Sequence, residues 1–305
     1  MIPIIDTHQH LWDATRFQLP WLSSVPQLNR NFLMSDYLDA TRGQEVVKTI
    51  YMEVNVADHE RLQEIDYVTA FCDDDTNPMQ GAVASGDLAS PQFGDYIKRL
   101  AANPFLKGVR RVLHDPETPP GTCIEEDFVR GVRLLGAQGL SFDVCIRPEE
   151  LPHAVVLAGK CPDTTLIIDH CGNADPYVVS GAGGAGGVGD PGPRSAGDDA
   201  RHTGSDWREA MGQLADKPNT ICKISGIVAR VKESWTPDDL APTVNACIDA
   251  FGEDRVIFGG DWPVCTLGAS FVEWADALRG IISGRPESVQ RKLLHDNAYR
   301  VYRLG

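Results

Sequence analysis

The strongest constraint in this chain is a rhythm. Eight short runs of apolar and β-branched residues recur along its 305 residues, at 2–10, 46–54, 81–85, 106–113, 140–146, 165–170, 220–224 and 256–260. Between them, apolar residues return every three or four positions, as at Phe93, Ile97 and Leu100 or Phe128, Val132 and Leu135. Strand-length runs alternating with helix-length stretches read as parallel strands joined by crossover helices. Eight such strands are the number that closes a barrel. The expected fold is therefore α/β, a (β/α)8 TIM barrel forming one domain over 1–305. The competitor is an open doubly wound sheet. It should bring a glycine phosphate loop after an early strand, and no GxGxxG or Walker pattern is present.

Two stretches break the rhythm. Residues 13–31 are rich in Trp, Pro, Leu and Ser without a period, and read as a long covering loop, after which Ser35 is the candidate N-cap of a short helix. Residues 181–205 form a low-complexity Gly-rich insertion, readable as a tolerated surface loop or, because it follows a strand end, as an active-site lid.

In such barrels the chemistry sits at the carboxyl ends of the strands. Ile4-Ile5 leads directly into Asp6-Thr7-His8-Gln9-His10, and strict alternation puts Asp6, His8 and His10 on one face. Glu53 ends the second run. Arg110 and Arg111 lie in the fourth, on alternate faces, so one of them points inward; His114 follows. Arg147 follows the fifth run, His170 ends the sixth, Ser225 follows the seventh and Asp261 ends the eighth. Each has a bland alternative: an isolated HxH can be a surface pair, His170 a satisfied core histidine, Asp261 a turn cap. Together they predict one mouth.

Formal charge is −15, which argues against nucleic acid or an anionic membrane as a partner, and means that an anionic substrate needs locally placed arginines. The eight cysteines form no CxxC pair and read as buried thiols of a reducing compartment. No apolar run approaches the roughly 18–20 residues of a membrane span, and no basic-then-apolar leader pattern is seen. The expectation is a cytoplasmic enzyme acting on a small molecule, with a homo-oligomer left open.

The constellation resembles the amidohydrolase superfamily, and more narrowly its amidohydrolase-2 branch. The residues that carry the resemblance are Asp6-Thr7-His8-Gln9-His10, Ile168-Asp169-His170-Cys171-Gly172 and Phe258-Gly259-Gly260-Asp261-Trp262-Pro263. Lys107-Gly108-Val109-Arg110-Arg111 and Phe142-Asp143-Val144-Cys145-Ile146-Arg147-Pro148 are similar to the sugar-lactone hydrolases typified by L-fuconolactonase. The Gly-rich insertion departs from that pattern. The resemblance implies a hydrolase that opens a sugar-acid lactone. Asp261 would be the general base on water, and His170 a catalytic partner. Glu53, Arg110, Arg111, Arg147 and His114 would bind substrate. His8, His10, His170 and Asp261 would hold one divalent cation, zinc by its donor set, either used or vestigial. A second ion is not expected: Lys107 begins its strand rather than ending it, and Arg147 stands where a further histidine would be. The alternatives are a zinc-dependent decarboxylase or another ester or amide hydrolase of the same branch, and a non-catalytic carbohydrate-binding relic.

Overall fold

The computed structural model describes residues 1–181 and 203–305; residues 182–202, and with them most of the expected loop or lid, lie outside the described residues. Eight parallel strands follow one another around a single sheet in chain order: β1 (Ile4–Gln9), β2 (Val46–Met52), β3 (Met79–Ser85), β4 (Leu106–Val112), β5 (Ser141–Cys145), β6 (Leu166–Ile168), β7 (Thr220–Ile224) and β8 (Val256–Phe258). The ring closes just past β8. Asp261 N donates to His8 O and His10 N to Trp262 O, both at 2.8 Å. Closure therefore brings the first motif of the chain against the last.

The pleat divides the strand residues into two cores. Ile5, Ile50, Val83, Ile167, Ile221 and Ile257 point into the barrel, where Tyr302 and Leu304 of the C-terminal segment close its amino-terminal end. Their neighbours, among them Ile4, Tyr51, Phe142, Ile168 and Phe258, face outward into the larger core shared with the helices. The helix Glu126–Ala137 shows how a crossover docks. Phe128, Val132 and Leu135 fall on one face at helical spacing and are buried, with the Phe128 ring 5.6 Å from that of Phe142 on β5. Each such side chain contributes about 1.5–3 kcal/mol when removed from water. Helix starts are set by side chains: Ser270 and Glu273 cap each other's backbone amides at the head of Phe271–Ile282 (3.2 and 2.8 Å).

Ser35 is not an N-cap. Its helix, Met34–Ala40, begins one residue earlier, because the Asp36 carboxylate accepts the Leu33 amide at 2.8 Å. The loop after β1 is packed rather than open. Trp12 and Trp21 meet edge to face at 5.3 Å, and their indole N–H groups bond Arg30 O and Val54 O, both at 2.7 Å. Phe32 continues this aromatic wall to Trp262, beside the mouth. No helix among the described residues is long and apolar enough to cross a membrane.

Candidate active site

The carboxyl ends of the strands bring His8, His10, Glu53, Arg110, His170 and Asp261 together, all of them buried or nearly so. His8 Nε2 lies 3.1 Å from His10 Nε2 and 3.6 Å from Asp261 Oδ1; His10 Nε2 is 3.4 Å from the same oxygen. The His170 ring stands 4.5 Å from that of His8, and its Nδ1 is 3.0 Å from Ser225 Oγ.

One expectation fails. Asp6 does not share a face with His8 and His10. A register shift between Asp6 and Gln9 changes the phase of β1. Asp6 instead accepts bonds from the Gly260 amide (2.7 Å), the His8 amide (3.0 Å) and the Tyr37 hydroxyl (2.8 Å). It staples β1 to the segment after β8 and holds His8 in place through the backbone.

The backbone around the reactive groups is held in conformations that L-residues rarely take. His170, Cys171 and Asp261 all have φ of 54°. Two glycines make room for these turns. A Cβ on Gly226, itself at φ 69°, would stand 2.3 Å from His170 Nδ1, and one on Gly260 would lie 2.6 Å from Asp6 Oδ2.

Hydrogen bonds fix the state of the imidazoles. His10 Nδ1 is 2.9 Å from Met52 O, which can only accept, so Nδ1 carries a proton and Nε2 faces the cluster. Burial holds the His8 imidazole well below its usual pKa, with the Lys223 and His170 charges acting in the same direction. Burial also lowers His170. Both rings are thus neutral and able to act as ligands or acceptors near neutral pH.

Arg110 enters from β4 with its charge already matched. Nε meets Glu53 Oε1 at 2.6 Å and Nη2 meets Glu53 O at 2.8 Å; the other Glu53 oxygen takes the Asn55 amide at 2.7 Å. Nη1 stands 3.3 Å from His8 Nε2. His114 reaches the edge of the cluster through Cys145 Sγ, 3.3 Å from its Nδ1, and that sulfur lies within 4.8 Å of the ligand atoms of Asp169 and His170. Arg111 and Arg147 are not brought in. Arg111 lies on the other face of β4 and is half-buried. The Arg147 guanidinium is taken by Glu150 Oε2 (2.7 Å), Asp115 O (2.6 Å) and Thr118 O (3.1 Å), so it braces a loop of the rim.

Beneath His8 lies a group to which the sequence reading gave no role. Lys223, fully buried on β7, places Nζ 2.6 Å from Asp143 Oδ1, 2.9 Å from Asp169 Oδ1 and 3.4 Å from His8 Nδ1. Burial pushes the Asp143 carboxyl up to about 7. For Asp169 the burial effect is outweighed by Lys223 and His8, which hold it well below the carboxylate range. The signal was present in part: a lysine and two aspartates lie inside or directly after apolar strand runs, and charges that become buried there come paired.

The donor set suits one metal ion. His8, His170 and Asp261 offer ligand atoms within 4.8 Å of one another, and the His10 nitrogen lies close to two of them. Donors on a tetrahedral zinc with bonds of about 2.1 Å stand roughly 3.4 Å apart, so the 3.1–3.6 Å separations above fit it. On the other side of His8 the Lys223 ammonium stands 3.4 Å from Nδ1.

The model of the amidohydrolase family matches residues 5–304. The chain belongs to the amidohydrolase family. This amidohydrolase is 27% identical over 308 residues to an L-fucono-1,5-lactonase of Burkholderia multivorans, covering 98% of this chain and 96% of the relative. It is 20% identical over 352 residues to an L-rhamnono-gamma-lactonase of Scheffersomyces stipitis, covering 99% and 98%. A crystal structure of a Burkholderia multivorans amidohydrolase with bound zinc superposes with a TM-score of 0.81 at 26% identity, covering 99% of this chain and all of the other. The family and these lactonase relatives make the protein a hydrolase, and its barrel is that of the amidohydrolases.

Proposed function

We propose that this amidohydrolase opens the ring of a sugar-acid (aldono-) lactone such as L-fuconolactone, with Asp261 as the general base. The observation that carries the reading is the place of Asp261: a buried carboxylate at the barrel mouth, held against two imidazoles, one of which also meets the buried Arg110. The lactonase relatives supply the substrate class.

Lactone hydrolysis needs a nucleophilic water, a base for its proton, charge stabilisation on the carbonyl oxygen and a proton for the departing ring oxygen. Asp261 takes the proton from water as the water oxygen bonds to the carbonyl carbon, and returns it to the ring oxygen as the C–O bond breaks. The Arg110 Nη1 group donates toward the oxyanion, and His170, oriented by Ser225, polarises the carbonyl either directly or, as a ligand, through a metal. Glu53 keeps the guanidinium in place and neutralises it before substrate arrives. One divalent cation, held by His8, His10, His170 and Asp261, would polarise the carbonyl and acidify the attacking water when bound. His8 Nε2 has a single lone pair, and both that ion and Arg110 Nη1 at 3.3 Å claim it. Dependence on metal is therefore part of the test. His114, next to Cys145 at the edge of the cluster, is the residue this reading assigns to substrate hydroxyls.

The experiment is proton release from a panel of aldonolactones, with a pH indicator, before and after exhaustive chelation. Saturable release from at least one lactone, above its spontaneous rate, is the expected result. No release from any member overturns the reading.

A further inference from the structure

At the opposite end of the barrel from His8 and Asp261 there is a cavity of about 370 Å3, bounded by the amino ends of β4 to β7 and by the C-terminal segment. Four cationic side chains line it: Lys107 at the start of β4, Arg255 just before β8, and Arg300 and Arg303 near the C-terminus. Among the described residues, Asp163 is the only acid in that lining. This gathering of positive charge stands out in a chain of net charge −15.

Among the described residues, none of the four cations is joined to a carboxylate by an ion pair. The arginines are oriented by backbone carbonyls instead. Arg255 donates to Lys217 O at 3.0 Å and to Ala215 O at 2.8 Å, Arg300 to Asp254 O, and Arg303 to Gly139 O. A carbonyl uses one or two of the five guanidinium N–H groups and leaves the charge in place. The result is a preorganised set of positive donors, of which Arg300 feels a carboxylate outside the lining, that of Asp254. Lys107 registers the set: burial lowers its ammonium pKa, and the Arg303 charge lowers it further.

We propose that this cavity binds a compact polyanion, a small molecule with at least two neighbouring negative charges such as a phosphate ester or a dicarboxylate. The volume lies in the range of small-molecule sites, about 300–1,000 Å3, and is too small for a polymer. Charge-assisted hydrogen bonds from guanidinium and ammonium groups are the interactions that recognise such oxyanions. A bound anion would tie the helix Asn297–Val301 and the residues after it to β4 and β8, so binding should stabilise the whole barrel against heat. The site shares no residue with the catalytic mouth, and its test is independent of the lactonase reading.

The experiment is thermal unfolding and calorimetric titration of the full chain at constant ionic strength, with glucose 6-phosphate, pyrophosphate and succinate as probes and glucose as the neutral control. The expected result is a saturable rise in melting temperature with a charged probe and none with glucose. Lys107→Gln and Arg303→Gln, which lie on separate elements, should each weaken binding about tenfold. A response to glucose 6-phosphate and pyrophosphate alone identifies phosphate as the recognised group; a response to succinate identifies paired carboxylates. The proposal is overturned if no probe gives a saturable response, or if both variants, shown by circular dichroism to be folded, bind as the native chain does.

Discussion

Replacing Lys223 by methionine tests the floor of the site. The side chain is fully buried, with its ammonium 2.6 Å from Asp143 Oδ1 and 2.9 Å from Asp169 Oδ1. Methionine keeps most of the volume and removes the charge. The nearest remaining cation is Arg110, whose Nη1 lies 4.0 Å from Asp169 Oδ2 and is already paired with Glu53. Removing one partner of a buried ion pair costs about 3–5 kcal/mol, because the other charge is left desolvated and unmatched. At roughly 2–4 °C per kcal/mol for a domain of this size class, the melting temperature should fall by on the order of 10 °C. Scanning calorimetry at pH 7.5, with urea unfolding followed by tryptophan fluorescence, measures both quantities. The double variant Lys223→Met/Asp143→Asn removes one of the two stranded carboxylates and should recover part of the loss. A single variant within about 1 kcal/mol of the native protein, or a double variant no more stable than the single one, would refute the claim that Lys223 neutralises this pair.

Other outcomes follow from the same contacts. Glu64 is buried; its Oε1 accepts the Tyr51 hydroxyl (2.9 Å) and the Val54 amide (2.8 Å), and burial, with the Glu53 charge behind it, pushes its carboxyl up to about 8. The unfolded chain releases this proton near pH 4.5 while the folded chain holds it to about 8, so Glu64 costs stability progressively as pH rises between those values. Glu64→Gln keeps both bonds and should gain on the native protein in urea midpoint from pH 5 to pH 8; parallel pH profiles would contradict this. Gly226→Ala should displace His170, because the new Cβ falls 2.3 Å from Nδ1 at a backbone φ of 69°. Lactone turnover should then drop by at least about tenfold in a folded protein, and unchanged turnover would show that the ring has room to move. Zinc titrated into the chelated protein should bind at the mouth, read by atomic absorption after dialysis, and His10→Ala should lower the retained zinc; a zinc content unchanged by that substitution would contradict the assignment of His10 as a ligand.

The barrel was legible because its signals are local. Each strand is a short apolar run and each helix an apolar stripe, and several bounds, such as Leu151–Lys160 and Pro237–Phe251, follow directly from them. The mouth was legible for a related reason: polar residues ending apolar runs have few other uses, and His8, His10, Glu53, Arg110, His170 and Asp261 do converge. What was hidden depends on pairing across the sheet. The register shift in β1 that turns Asp6 away from His8 is set by the fit of β1 to β2, which no periodicity within β1 records. Arg147 reads like a substrate anchor from its place after β5, yet its donors are spent on Glu150 and two loop carbonyls that lie on other segments. Lys223 looked like one polar residue in an apolar run until Asp143 and Asp169 arrived from two other strands.

The central claim is that a late carboxylate does proton-transfer chemistry beside imidazoles supplied by the start of the chain. Steady-state kinetics of Asp261→Asn on the best aldonolactone measures this most directly. Asparagine keeps the shape and removes the base, so kcat should fall by about 10²–10⁴-fold with KM little changed. A variant that turns over within a few-fold of the native rate would contradict the account.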